Sequence, residues 1–228
     1  MDLKLEEYLS LNKLFADKGY SLFLVGGTVR DYLMGLPLDD MDAVTDATPD
    51  EMKEFLPDAT YTFAKYGSVI VHTQKKVKFD ITTLRKENEY LDSRHPGKIE
   101  FVKDLEIDVR RRDFTLNALY LDKDLKVIDY VGGVEDLNNK LLRMVGDPEI
   151  RLKEDPLRII RAFRFAAQYG LTIDSELSKA IRNNIGLIDN LNIDKVKQDI
   201  KKLKKEYFPQ LKQLFEDYDI KHLLDVIN

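Results

Sequence analysis

With 228 residues and an ordinary globular composition, the chain is long enough for one substantial domain plus a smaller one, with a real core. Its formal net charge of -5 excludes a protein that coats nucleic acid by bulk attraction, so any RNA binding has to be local. The lack of cysteine excludes a disulfide framework, a thiolate metal site and a cysteine nucleophile; with no membrane-length apolar run and a charged N-terminus, the expected setting is cytoplasmic, with no membrane partner.

In chain order, Leu3 to Lys18 carries Leu5, Leu9, Leu11, Leu14 and Phe15 at the spacing of an amphipathic helix. Leu22 to Val25 reads as a buried strand, Gly26-Gly27 as a turn, and Thr28 to Met34 as a helix stopped by Gly35-Leu36-Pro37. Leu38 to Val44 then resumes an extended pattern, which sets Asp40 and Asp42 on one face. Two adjacent carboxylates repel unless they share a cation or a proton, and Mg2+ is the natural candidate because it takes carboxylate oxygens together with phosphates. The glycine N–H groups, with Arg30 one helical turn on, suit a triphosphate.

Thr48 and Pro49 read as the N-cap and first turn of a helix. Strands are expected at Tyr61 to Phe63, Ser68 to Thr73 and Lys76 to Leu84, giving a mixed sheet flanked by helices. In the last strand Val77, Phe79 and Ile81 share one face, and Lys78, Asp80 and Thr82 the other, which can bring Asp80 beside Asp40 and Asp42. Lys86 to Lys98 is polar and aperiodic and reads as a loop that includes His95. Arg110, Arg111 and Arg112 precede Asp113-Phe-Thr-Leu-Asn117-Ala; three consecutive guanidinium forks before an apolar turn suit phosphate oxygens better than packing.

Leu125 to Tyr130 reads as a further strand, and Gly146-Asp147-Pro148 as a boundary turn, dividing the chain at 1–148 and 149–228. After Glu154, Asp155 at the N-cap, Pro156 in the first turn and Gly170 past the end delimit a helix with a core stripe of Leu157, Ile160 and Ala167. Arg158, Arg161 and Arg164 recur along it as a basic stripe expected to face solvent. The lysine-rich run from Lys195 to Lys205 reads as a solvated helix face, and Tyr207 to Ile227 as helices closing the second core.

GG, VRD and DxD in this order, RRDFTLNA, and EDPLRIIRAFRFA together resemble the class II tRNA nucleotidyltransferases (CCA-adding enzymes) and bacterial poly(A) polymerases, within the DNA polymerase beta superfamily. That resemblance implies an α+β fold: a nucleotidyltransferase head with a mixed β-sheet flanked by helices, followed by an all-α neck. It also implies transfer of CMP or AMP from CTP or ATP to an RNA 3′ end, by likeness that of tRNA, through two-metal chemistry on Mg2+. Asp40 and Asp42 would hold the metal, and Asp80 would help activate the attacking hydroxyl. Gly26, Gly27, Arg30, Arg111, Arg112, Asp113, Asn117, Glu154, Asp155, Arg158, Arg161 and Arg164 would bind the nucleotide. Arg112 is the first choice for the phosphates, Asp113 and Asn117 serve the sugar side, and Asp155 and Arg158 form the template for the base. Arg94-His95-Pro96 matches the family's flexible loop.

The resemblance covers Leu22 to about Ile185. Family members continue into helical body and tail regions that hold the tRNA elbow, and these are expected to be missing here. The motifs are shared by a compact poly(A) polymerase and by CC- or A-adding enzymes. A catalytically silent nucleotide- or RNA-binding module is the alternative from another class. No feature of the sequence sets an oligomeric state.

Overall fold

The computed structural model describes residues 2–90 and 96–224. These fall into two compact units, one of 2–89, 96–112 and 116–134, the other of 113–115 and 135–224.

The first unit contains α1 (Leu3–Asp17), β1 (Leu22–Val25), α2 (Gly27–Leu33), β2 (Met41–Thr45), α3 (Pro49–Phe55), β3 (Ser68–His72), β4 (Lys78–Thr83), β5 (Arg85–Tyr90), β6 (Pro96–Phe101), α4 (Leu105–Val109), β7 (Leu119–Leu121) and β8 (Val127–Asp129). α5 (Gly133–Asn138) carries the chain into the second. Six strands form one sheet in the order β3-β4-β2-β1-β7-β8, parallel between β2 and β4 and antiparallel elsewhere. The mixed sheet is the expected one.

Strand alternation gives the sheet two chemically different faces. Leu22, Leu24, Met41, Ala43, Phe79 and Ile81 point into the main core with Leu5, Tyr8, Leu11 and Phe15 of α1, Val29 of α2 and Met52 of α3. Full burial of a side chain such as Phe79 or Ile81 stabilises by about 1.5–3 kcal/mol. The alternate positions, Val25, Asp42, Val44, Asp80, Thr82 and Tyr120, belong to the other face. Tyr8 is buried although polar, because its hydroxyl donates to the carbonyls of Leu22 and Leu121. α3 starts as expected: Thr48 and Glu51 form a reciprocal capping box and Pro49 opens the helix.

Two expectations fail here. Residues 61–63 make no strand: only Thr60 bridges to Ile70, after which the chain tightens into a 3-10 turn at Ala64–Tyr66. Lys86 to Lys98 is not all loop, because β5 and β6 pair as a separate two-stranded sheet. A ribbon off the main sheet can be polar on both faces, so it leaves no hydrophobic period in the sequence. Arg94 and His95 lie outside the described residues.

The second unit comprises β9 (Leu141–Leu142), α6 (Pro148–Glu154), α7 (Leu157–Tyr169), β10 (Thr172–Ile173), α8 (Ser175–Asn184), α9 (Ile193–Ile200) and α10 (Phe208–Asp217). It is helical except for the parallel pairing of β9 with β10. α7 is its axis: Ile159, Ile160, Ala162 and Phe163 are fully buried, and the Phe163 ring packs on Phe215 and Tyr218. Gly170, at φ 61°, ends α7 in the left-handed conformation that glycine tolerates best. The lysine run behaves as expected: Val196, Ile200 and Leu203 are buried, whereas Lys197, Lys201, Lys202, Lys204 and Lys205 are exposed.

Candidate active site

The open face of the first unit's sheet carries a cavity of about 170 Å3 lined by Gly26, Asp42, Asp80, Thr82, Arg85, Arg111 and Arg112, among others. Asp42 and Asp80 face each other in register across the parallel β2–β4 pair. Burial raises Asp42 to about 6, and the charges of Asp80 and Asp40 push the same way. Asp40 is exposed and precedes β2, which begins at Met41 rather than at Leu38. Asp40 and Asp80 line a neighbouring cleft with Lys78, whose amine pairs with Asp80 at 2.8 Å. The three acidic residues named from sequence therefore cluster around Asp80.

That set consists only of hard oxygen donors, and three carboxylates against the single amine of Lys78 leave it net negative, which fits Mg2+. Among the described residues no three Asp, Glu or His side chains converge closely enough to enclose a metal. The cluster is open, as suits a cation that keeps water and phosphate oxygens among its ligands.

Opposite the acids, the arginines are aimed by Asp108. This fully buried carboxylate accepts from Arg111 Nε at 2.8 Å, Arg112 Nη2 at 2.9 Å, the Tyr120 hydroxyl at 3.0 Å and the Arg85 backbone N–H at 3.1 Å. Burial would raise its pKa, but Arg111 and Arg112 together hold it down to about 2. Arg112 also lies over the Tyr120 ring, 5.1 Å from the centroid. Neither Asp108 nor Tyr120 was picked out from the sequence. Asp108 could have been, since an acid three and four residues before two arginines is a helical pairing signal.

The glycine turn differs from expectation in detail. The Gly26 N–H donates to the Leu119 carbonyl at 3.1 Å, so that donor belongs to the sheet rather than to a phosphate. Its φ of 65° and ψ of -127° are open to glycine alone, and a Cβ there would sit 3.7 Å from Arg112 Nη1. A Cβ on Gly27 would sit 3.4 Å from Arg30 Nη2. Arg30 is buried, with Nη1 on Asn117 Oδ1 at 2.6 Å and Nη2 on Asp31 at 2.7 Å. Arg30 and Asn117 thus hold each other beneath the turn and are not among the residues lining the 170 Å3 cavity.

The remaining named residues belong to the second unit. Asp113 accepts from its neighbour's N–H and pairs with Arg161, whose Cζ is 5.8 Å from the Phe165 ring centroid. Glu154 accepts from Arg151 and, at 3.1 Å, from Arg158, which also donates to the Arg151 carbonyl at 2.6 Å. Arg164 pairs with Asp199 at 3.0 Å and lies 4.1 Å from the Phe165 centroid. The expected solvent-facing stripe is thus corrected: Arg158 and Arg164 are buried, because α7 is enclosed on nearly every side and each guanidinium finds a carboxylate. Asp155 Oδ1 accepts the Leu157 N–H at 3.1 Å, so it does support the helix start, one residue before the N-cap position at Pro156.

The same segments carry the resemblance to known proteins. A sequence-family model described as the poly A polymerase head domain matches residues 22–143. The CCA-adding enzyme of Staphylococcus epidermidis is 40% identical over 198 residues, 87% of this chain and 49% of that protein. The CCA-adding enzyme of Bacillus subtilis is 35% identical over 86% of this chain and 49% of its own length. Among solved structures, the Bacillus stearothermophilus CCA-adding enzyme in complex with CTP superposes with a TM-score of 0.81 at 32% identity, covering 89% of this chain and 49% of that one. A tRNA nucleotidyltransferase complexed with a primer tRNA and an incoming ATP analog gives 0.77 at 27% identity, covering 96% and 62%. The chain spans about half the length of the curated relatives it matches. A match that runs over more than half of these 228 residues, through the strands and turn that carry the carboxylates and arginines, places the chain in the poly A polymerase head domain family of nucleotidyltransferases.

Proposed function

We propose that this chain transfers nucleoside monophosphates from CTP and ATP to the 3′ end of an RNA, with tRNA as the substrate and CCA addition or repair as the outcome. The head, 1–148, does the chemistry and the helical neck, 149–228, reads the base. The observation that carries this reading is Asp42 facing Asp80 in one cavity with Arg111 and Arg112. Acids and arginines side by side are what a reaction between a hydroxyl and a triphosphate needs: one set for the attacking oxygen, the other for the charge on the phosphates.

In the reaction the 3′-oxygen bonds to the α-phosphorus and the bond to the β-phosphate oxygen breaks, releasing pyrophosphate. Arg111 and Arg112, pre-aimed by Asp108, hold the phosphates so that attack runs in line. In this reading Asp80 helps activate the attacking hydroxyl by taking its proton. Asp40 and Asp42 would hold Mg2+, which when bound would supply Lewis acidity at the phosphates and at the hydroxyl. The likeness to CCA-adding enzymes, and the CTP, ATP-analog and tRNA complexes of structural neighbours, support the choice of substrates.

The test incubates the protein with Mg2+, labelled CTP or ATP, and tRNA lacking its terminal nucleotides. Incorporation that stops after the missing nucleotides is the expected result. Failure to extend any of several RNAs would remove the proposal, and extension surviving Asp40→Ala with Asp42→Ala would remove the metal assignment. Open-ended addition of A would favour the poly(A) reading.

A further inference from the structure

We propose that Thr28 is the positioning residue that sets the spacing of Asp40 and Asp42. This deepens the nucleotidyltransferase reading and rests on its carboxylate assignment. β1 pairs with β2 through Leu22–Thr45, Phe23–Val44 and Leu24–Ala43. Beyond that register the chain leaves the sheet at Gly26, whose positive φ turns it into α2. The start of β2 keeps β4 on one side but loses its β1 partner on the other just where the acidic pair begins.

The second residue of α2 takes over that role. The buried Thr28 hydroxyl donates to the Asp40 carbonyl at 3.0 Å and accepts the Asp42 N–H at 2.8 Å. One oxygen thus spans the two-residue step between the carboxylates and fixes the backbone from which both project. On the approach to this step, the Lys4 amine donates to the carbonyls of Leu38 and Asp39. Two side chains, from α2 and α1, hold the main chain of 38–42 at four points.

A carboxylate pair that shares one cation has to be set before the cation arrives, because groups supporting metal ligands tune affinity even without touching the metal. Valine keeps the shape of threonine but can neither donate nor accept, so Thr28→Val frees the Asp40 carbonyl and the Asp42 N–H together. Serine keeps the hydroxyl and loses only the methyl group.

The experiment measures Mn2+ binding by electron paramagnetic resonance on the full chain, and kcat and KM for CTP on tRNA lacking its terminal nucleotides. Thr28→Val is expected to weaken Mn2+ binding and lower kcat by about tenfold each, while KM for CTP stays within about threefold; Thr28→Ser is expected to restore both. Wild-type Mn2+ affinity and kcat in Thr28→Val would overturn the inference. So would a Thr28→Ser variant as impaired as Thr28→Val, since the methyl group would then be what matters. Should Thr28→Val not fold, Thr28→Ala and Thr28→Ser are compared in the same way. A wild type that transfers no nucleotide yet binds Mn2+ in a Thr28-dependent manner would sink the proposed function and leave this inference standing.

Discussion

Asp42 and Asp80 are opposed in register on two parallel strands, and their mutual repulsion adds to burial in raising Asp42, although Lys78 pairs with Asp80. Asp42 is raised from 3.8 to about 6, so the folded chain binds its proton more tightly than the unfolded chain does. Stability from this group is full below the unfolded value and is lost as pH rises towards and through 6.

It follows that Asp42→Asn stabilises the metal-free protein above pH 6, by about 1–2 kcal/mol, and has little effect at pH 4. Thermal melts across that range check this. Added Mg2+ should raise the melting temperature of wild type and not of the variant. A variant less stable than wild type at pH 8 without metal would contradict the electrostatic account.

Asp108 behaves in the opposite sense. Its folded pKa of about 2 lies below the unfolded value of 3.8, so its contribution is present above that value and disappears as pH falls through 2. Asp108→Asn removes the fully buried carboxylate that Arg111 and Arg112 share and should cost about 3–5 kcal/mol at neutral pH. Denaturant titrations at pH 7 and pH 2.5 should show that difference shrinking in acid. Surviving protein should show a raised KM for CTP.

Asp155 supports the start of α7, and in the proposed function it also reads the base; a pair of variants separates the two roles. Cytosine and adenine offer an amine beside a ring-nitrogen acceptor; uracil and guanine offer a carbonyl and an N–H, which mismatch a carboxylate and a guanidinium. Asparagine caps as well as aspartate, so Asp155→Asn should leave the melting temperature unchanged while the preference for CTP over UTP falls by about tenfold or more. Asp155→Ala should lose both stability and selectivity. If Asp155→Asn retains full selectivity, the base is read elsewhere.

The Arg164–Asp199 pair is buried between α7 and α9. Removing either partner alone should cost about 3–5 kcal/mol, whereas Arg164→Met combined with Asp199→Leu should recover most of it. A double-mutant cycle by urea denaturation measures the coupling. Loss of nucleotide binding in the stable double variant would instead give Arg164 a direct part in the site.

Much of this was legible in the residues, for identifiable reasons. Leu22–Val25, the Thr48 cap and the alternation in KFDITT are local patterns, and the structure keeps them because tertiary packing agrees with them. The surroundings of α7 were not legible. Arg158 and Arg164 are spaced like a surface stripe, and only the packing of α6, α9 and α10 decides that they are inside. Thr28 was missed because its partners are set by a turn and by strand register rather than by spacing, whereas Asp108 did carry a spacing signal in the arginines three and four residues on. The β5–β6 ribbon was missed because its polar sequence writes no hydrophobic period.

The central place of β1 has a consequence for the newborn chain. β1 needs β7 on its second side, and the Tyr8 hydroxyl waits for the carbonyl of Leu121, 113 residues further on. Until Leu119–Leu121 leaves the ribosome, the apolar Leu22–Val25 segment is an open edge that any other strand can join. Chains cut short before residue 119 should therefore aggregate rather than fold, and the head should gain protease resistance abruptly once β7 has been made.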